Sequence, residues 1–70
     1  ATSIVDVAMA AGETISDLLN EIRAKVTGAM DPSLSAESRN AINNDFTALL
    51  RQITSTIDNA EFDGANILNA

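Results

Sequence analysis

Seventy residues suffice for one small domain or for a segment of a larger one, and a core of that size supplies only about 3–5 kcal/mol. The chain contains no cysteine and no histidine, which excludes disulfide bonds, zinc sites with nitrogen or sulfur ligands, and Ser–His or Cys–His catalysis. The net charge of −6 argues against nucleic acid and against an anionic membrane surface as partners, because both require a basic surface.

No catalytic or cofactor-binding constellation is visible. The three glycines are scattered and fit no phosphate-binding loop, and no apolar run is long enough to span a membrane. The carboxylates of Glu13, Asp17 and Glu21 recur at helical spacing. A single row on an exposed helix rarely converges on one ion, since calcium takes six or more oxygens, so a solvated acidic face is the simpler interpretation. We therefore expect no enzyme, no cofactor and no metal site.

The first part of the chain predicts a long amphipathic helix over about 3–29. Lys25 stands at one position of its apolar stripe, where the neighbouring Val26 can widen it, and Gly12 weakens the helix by about 1 kcal/mol relative to alanine. A stripe sustained over more than three heptads is typical of a coiled coil. Its apolar members are Ile4, Ala8, Ala11, Ile15, Leu18, Ile22 and Ala29.

A short connection and a second helix follow. Gly28 and Pro32 predict the end of the first helix, and Ser35 is the expected N-cap of the second. The stripe of the second helix consists of Ile42, Phe46, Leu49, Ile53 and Ile57. The sequence Glu-Phe-Asp-Gly at 61–64 is a turn signal, so we predict that this helix ends near residue 59 and that a short extended tail follows.

These patterns predict an all-α fold: an antiparallel hairpin of two long helices, about 3–29 and 36–59, that forms part of a coiled-coil-like bundle. Two helices alone leave much apolar surface wet, so further helices are implied. Because the chain starts without methionine, we expect residues 1–70 to be a fragment of one helical domain. The residues expected to carry helix packing and assembly are Ile15, Leu18, Ile22, Phe46, Leu49, Ile53, Ile57 and Phe62, and those expected to line the open side are Val5, Val7, Leu19, Leu50 and Phe62.

Three stretches carry a family likeness. Residues 3–8 (SIVDVA) and 15–23 (ISDLLNEIR) resemble the second long helix of bacterial flagellin, and residues 34–53 resemble the antiparallel helix that follows it. Residues 60–68 (AEFDGANIL) look like the "EFNG-x-x-L" motif that ends that region. The likeness covers nearly the whole chain in the correct order and is closest to flagellins of the alphaproteobacterial type.

The resemblance implies a structural subunit of the bacterial flagellar filament. Such a protein is exported without a cleaved signal peptide, lies outside the cell and assembles with other flagellin subunits for motility. This segment would be the N-terminal part of the conserved inner-tube helical domain. A flagellin chaperone or regulator is a further implied partner.

The family also implies a position for immune recognition. In flagellins sensed by the flagellin-detecting Toll-like receptor, this region carries an arginine, a leucine and a glutamate. The equivalent positions here are Glu21, Lys25 and Asp45, so two of the three differ and one of them reverses charge. We therefore expect weak recognition by that receptor.

Two alternatives remain open from the sequence. The hook–filament junction protein shares the same helices, and a stand-alone helical interaction module would use the same apolar stripe to bind a partner helix. An enzyme is disfavoured because no catalytic constellation is visible.

Overall fold

The computed structural model describes residues 3–69, which form two long antiparallel helices, α1 (Ile4–Ala29) and α2 (Ala36–Asn69). The pair is a rod with extents of 54 × 15 × 12 Å. The predicted all-α hairpin is confirmed, and α1 ends at the predicted residue.

α1 begins with a reciprocal cap. The Ser3 hydroxyl accepts a hydrogen bond from the Asp6 amide at 3.1 Å, and the Asp6 carboxylate accepts one from the Ser3 amide at 3.4 Å. This capping box satisfies two amides that the helix itself leaves without partners, and it places a negative charge at the positive end of the helix dipole.

The connection between the helices is held by three side chains. The Asp31 carboxylate accepts hydrogen bonds from the amide and the hydroxyl of Ser33, at 2.9 and 2.7 Å. Arg39, from the first turns of α2, donates to the carbonyl oxygens of Ala29 at 3.2 Å and Asp31 at 3.5 Å. The last turn of α1 has no basic residue of its own, so Arg39 supplies the cation that its carbonyl end favours.

Ser35 caps α2 as predicted, with its hydroxyl accepting from the Ser38 amide at 3.0 Å. The predicted end of this helix near residue 59 and the extended tail are wrong, because α2 continues without interruption to Asn69. A glycine that ends a helix commonly adopts the left-handed conformation, whereas no described glycine has a positive φ. Gly64 and Ile67 continue the half-buried stripe of α2 beside the first turns of α1, so packing overrides the local turn preference.

The contact between the helices is a narrow seam. Only Leu18 and Leu49, at 7% and 6% exposure, are buried among the described residues. Ile15, Ile22, Phe46 and Ile53 are half-buried. The remaining half-buried positions of the two helices are Val7, Ala11, Lys25, Ala29, Ile42, Thr56, Ala60, Gly64 and Ile67.

Two seam positions differ from the sequence-based stripe. Val7, which was expected on the open side, is half-buried, whereas Ile4 is 41% exposed. In α2 the seam residue is Thr56, and Ile57 is 43% exposed. Thr56 can occupy this place because its hydroxyl donates to the Gln52 carbonyl at 2.8 Å and so needs no partner from α1.

Candidate assembly surface

One long side of the hairpin carries most of the exposed large apolar side chains of the described residues, and its position follows from helical geometry. Successive helix residues are about 100° apart, so the residue that follows each seam residue points to the same side of the pair. We call this side the open face and define it by Ile4, Ala8, Leu19, Val26, Leu50, Ile57 and Leu68. At the end of the hairpin opposite the loop, a groove in this face is lined by residues of both helices, including Ile4, Ala8, Ile57 and Leu68.

The exposure of these side chains shows how incomplete the packing is. Leu19 is 51% exposed, Leu50 is 46% exposed and Leu68 is 74% exposed. Polar residues interrupt this surface, since Arg39 and Asn43 line its groove near the loop and Glu61 lines its groove near the other end. Exposed leucines grouped along one side are candidates for contact with other helices.

The other long side of the hairpin is polar. The residues that precede seam positions include Asp6 and Asp17, and the grooves on this side are lined by polar and small side chains such as Glu21, Gln52 and Asn59. This contrast gives the hairpin one side for solvent and one for packing.

Glu21, Lys25 and Asp45, the three positions that the resemblance relates to receptor recognition, line one groove at the polar edge of the seam. The Lys25 ammonium and the Asp45 carboxylate form a salt bridge between the helices at 3.1 Å, with the two side chains 40% and 57% exposed. Glu21 lines the same groove. The sequence left Lys25 as a gap in the apolar stripe, and its interhelical pair with Asp45 gives that gap a structural role.

The eight predicted packing residues lie in three different places. Ile15, Leu18, Ile22, Phe46, Leu49 and Ile53 lie at or beside the seam, whereas Ile57 lies on the open face. Phe62 is 67% exposed, and helical geometry directs it away from both the seam and the open face.

Sequence reasoning missed Val7 and Thr56 as seam residues, whereas it had placed Leu19 and Leu50 on the open side. The signal for the open face was an apolar residue that directly follows a residue of the stripe, as in Leu18–Leu19 and Leu49–Leu50.

The surface offers little for chemistry. Within residues 3–69, no three acidic side chains are grouped so that they could hold a metal ion. No helix in the same range is long and apolar enough to cross a membrane. The arrangement is suited to contacts with other helices.

A two-helix unit with a thin seam and one long apolar side belongs to the class of helical assembly elements. The family described as "Bacterial flagellin N-terminal helical region" matches residues 1–70. The chain therefore belongs to this family, as the resemblance of its three stretches predicted.

The similar proteins include three flagellins of Caulobacter vibrioides. The chain is 48% identical to flagellin FljN over 67 residues, which is 96% of this chain and 24% of that protein. It is 48% identical to flagellin FljM and 46% identical to flagellin FljK, each over 93% of this chain and 24% of the relative. The chain thus spans about a quarter of the length of these relatives. No solved structure matches the chain.

Proposed function

We propose that this chain is the N-terminal helical segment of a flagellin, a structural subunit of the bacterial flagellar filament that acts in motility by self-assembly. The observation that carries the proposal is the family match over residues 1–70, together with 48% identity to flagellins over nearly the whole chain. The open face supports it physically, because a hairpin with only two buried residues in the range 3–69 requires further helices to complete its core.

The partners follow from this role. The segment forms one part of an inner-tube helical domain, and its subunit assembles with other flagellin subunits outside the cell after export without a cleaved signal peptide. A flagellin chaperone or regulator is a further partner before assembly. The similar proteins are named flagellins, which favours the filament subunit over the hook–filament junction protein.

The experiment is a replacement of the matching quarter of FljK by this chain, expressed in a Caulobacter vibrioides strain without its own flagellins. We expect export, filaments and swimming. Leu49→Glu in the same chimera places a charge in the buried seam and should abolish filaments, whereas the matched control Leu50→Ala, at a half-exposed position, should fold and be exported. A chimera that is exported and folded but never forms filaments would show that the segment is not a filament element.

Weak recognition by the flagellin-sensing Toll-like receptor belongs to the same proposal. Glu21 stands at the position of an arginine and Lys25 at the position of a leucine in the recognised flagellins, and Lys25 is paired with Asp45 across the two helices. The measurement is the response of receptor-bearing reporter cells to the chimeric flagellin. We expect a much weaker response than to a stimulatory flagellin, and an equal response at equal dose would refute this part of the proposal.

A further inference from the structure

We propose that the dipeptide Asp63–Gly64 is a site of spontaneous isomerisation to isoaspartate, which the helical state of α2 restrains and which, once formed, ends α2 near Phe62. The reaction is intramolecular and needs only water, so it depends neither on a filament nor on what covers the open face. Three observations support the proposal: the dipeptide itself, its place within α2, and the weak attachment of the last turns of α2 to α1.

The chemistry involves the side chain of Asp63 and the amide of the residue that follows it. The Gly64 nitrogen attacks the side-chain carbon Cγ, and the carboxyl hydroxyl leaves as water with the amide proton, which gives a five-membered succinimide ring. Water then adds to one of the two ring carbonyls. Addition at Cγ restores aspartate. Addition at the main-chain carbonyl breaks its bond to nitrogen, so that the chain runs through Cβ and Cγ with no net change in mass.

The sequence singles out this dipeptide. Glycine allows the reaction most readily, because it has no side chain to shield its amide nitrogen. Residues 63 and 64 are the one place in the chain where aspartate or asparagine precedes glycine. The other aspartates precede valine, leucine, proline, phenylalanine and asparagine. Asp31 is further excluded, because Pro32 has no amide proton and Ser33 donates two hydrogen bonds to the Asp31 carboxylate.

The structure places this dipeptide inside a helix, which slows ring closure. In α2 the Gly64 amide donates to the Ala60 carbonyl, four residues earlier. Ring closure requires that this hydrogen bond is broken and that the Asp63 backbone leaves the helical region, because the nitrogen must reach Cγ. The reaction therefore proceeds only from molecules in which the end of α2 has opened.

The last turns of α2 are held to α1 by little packing. The buried Leu49 lies fourteen residues before Asp63, or about 21 Å along the helix. Beyond Asp63, Gly64 and Ile67 are only half-buried, and glycine weakens a helix relative to alanine. Within residues 3–69, the side-chain hydrogen bonds that join the two helices come from the loop half of the hairpin. Opening at residues 61–69 is therefore less costly than opening near Leu49.

Isoaspartate keeps the end of α2 open once it has formed. It adds one carbon atom to the main chain between residues 63 and 64, so later amides no longer align with the carbonyls four residues before them. Ile67, which lines a groove with Val7 of α1, then loses its place beside that helix. The modified chain has an α2 that ends near Phe62 and a released segment of residues 64–69.

The first measurement is peptide mapping with electron-transfer fragmentation, which distinguishes isoaspartate from aspartate of equal mass. The 70-residue chain, shown to be helical by circular dichroism, is incubated in near-neutral buffer beside a peptide of residues 58–69, which is too short to stay helical. We expect isoaspartate at Asp63 and not at Asp58, at a rate at least about tenfold lower in the chain than in the peptide. No isoaspartate at Asp63, or equal rates in chain and peptide, would overturn the proposal.

The second measurement tests whether attachment to α1 sets the rate. Ile67→Ser removes a half-buried side chain beside Val7 and should raise the rate at Asp63 several-fold, towards that of the peptide. Leu68→Ser is the matched control, since Leu68 is 74% exposed and its loss should change the rate little. Both substitutions leave residues 63 and 64 unaltered. Equal rates in the two variants would refute a restraint by packing on α1.

The third measurement is hydrogen exchange of the isomerised chain. We expect protection to be lost at residues 64–69 and kept at the amides around the buried Leu18 and Leu49. Asp63→Glu keeps the negative charge but can close only a six-membered ring, which forms far more slowly, so it should keep its protection after the same incubation. An isoaspartate chain that remains protected at residues 64–69 would show that the modification does not end α2.

Discussion

At the scale of single residues, the hairpin depends on very few side chains. Leu18 and Leu49 are the two buried residues of the described chain, and the side chains around them are only half-buried. Each therefore contributes a large share of a small total. The sequence pointed to both leucines, because they lie at the centre of their heptad stripes.

Leu49→Ala should lower the free energy of unfolding by about 2–5 kcal/mol, because it removes buried apolar surface and leaves a cavity. This loss equals what a core of this size supplies, so we expect the helical signal to fall sharply at 25 °C. Leu50→Ala is the matched control, since Leu50 is 46% exposed and should cost far less. Thermal melts followed by circular dichroism measure both, and similar losses would contradict the position of the seam.

Asp31 makes the stability of the loop depend on pH. The hydrogen bonds from the hydroxyl and amide of Ser33, with the nearby Arg39 guanidinium, hold the pKa of the Asp31 carboxyl below its ordinary value of 3.8. A lowered pKa in the folded state means that the stabilisation is present above that ordinary value and is lost as the pH falls through the folded-state pKa.

Carbon-detected NMR titration of the Asp31 carboxyl measures this pKa directly. We expect Ser33→Ala to move it back towards the ordinary value, because the strongest of the three interactions is removed. Asp31→Asn should abolish the corresponding part of the acid-dependent stability. An unchanged titration in Ser33→Ala would show that the hydroxyl does not stabilise the charged form.

At the scale of elements, the sequence predicted the first helix and the loop well and the end of the second helix poorly. Gly28, Pro32 and Ser35 act through local geometry, which a sequence displays. The turn signal at 61–64 is also local, but it competes with packing against α1 that only the folded hairpin supplies. The Lys25–Asp45 pair joins residues twenty positions apart, so no local pattern reveals it.

Gly64→Ala distinguishes a helix from a turn at the end of α2. Gly64 has no positive φ, and a β-carbon added there meets nothing within 4 Å. Alanine should therefore stabilise the helix by about 0.5–1 kcal/mol and raise the helical signal. Gly12→Ala is the matched control in α1, where a β-carbon is equally free, and it should act similarly. A destabilised Gly64→Ala chain would mean that residues 61–64 form a turn.

At the scale of the whole molecule, the two long sides of the hairpin differ in polarity. The polar side carries the acidic residues of α1 and the Lys25–Asp45 pair, and the open face carries half-exposed apolar side chains along the rod. Heptad spacing predicts that such a face exists. The width and direction of the face depend on which residues form the seam. Val7 lies in the seam where the sequence predicted Ile4, and Thr56 lies there where it predicted Ile57, so the true stripe is rotated from the predicted one.

The most direct measurement is the polymerisation of a purified FljK chimera that contains this chain in place of the matching quarter. Sedimentation after seeding separates filament from free subunit and does not depend on export. The chimera should enter the pellet as filaments visible by electron microscopy, and Leu50→Lys on the open face should keep it in the supernatant while Phe62→Lys should not. A folded chimera that stays soluble beside a polymerising FljK, or one that polymerises equally well with Leu50→Lys, would contradict the role of this segment and its open face in assembly.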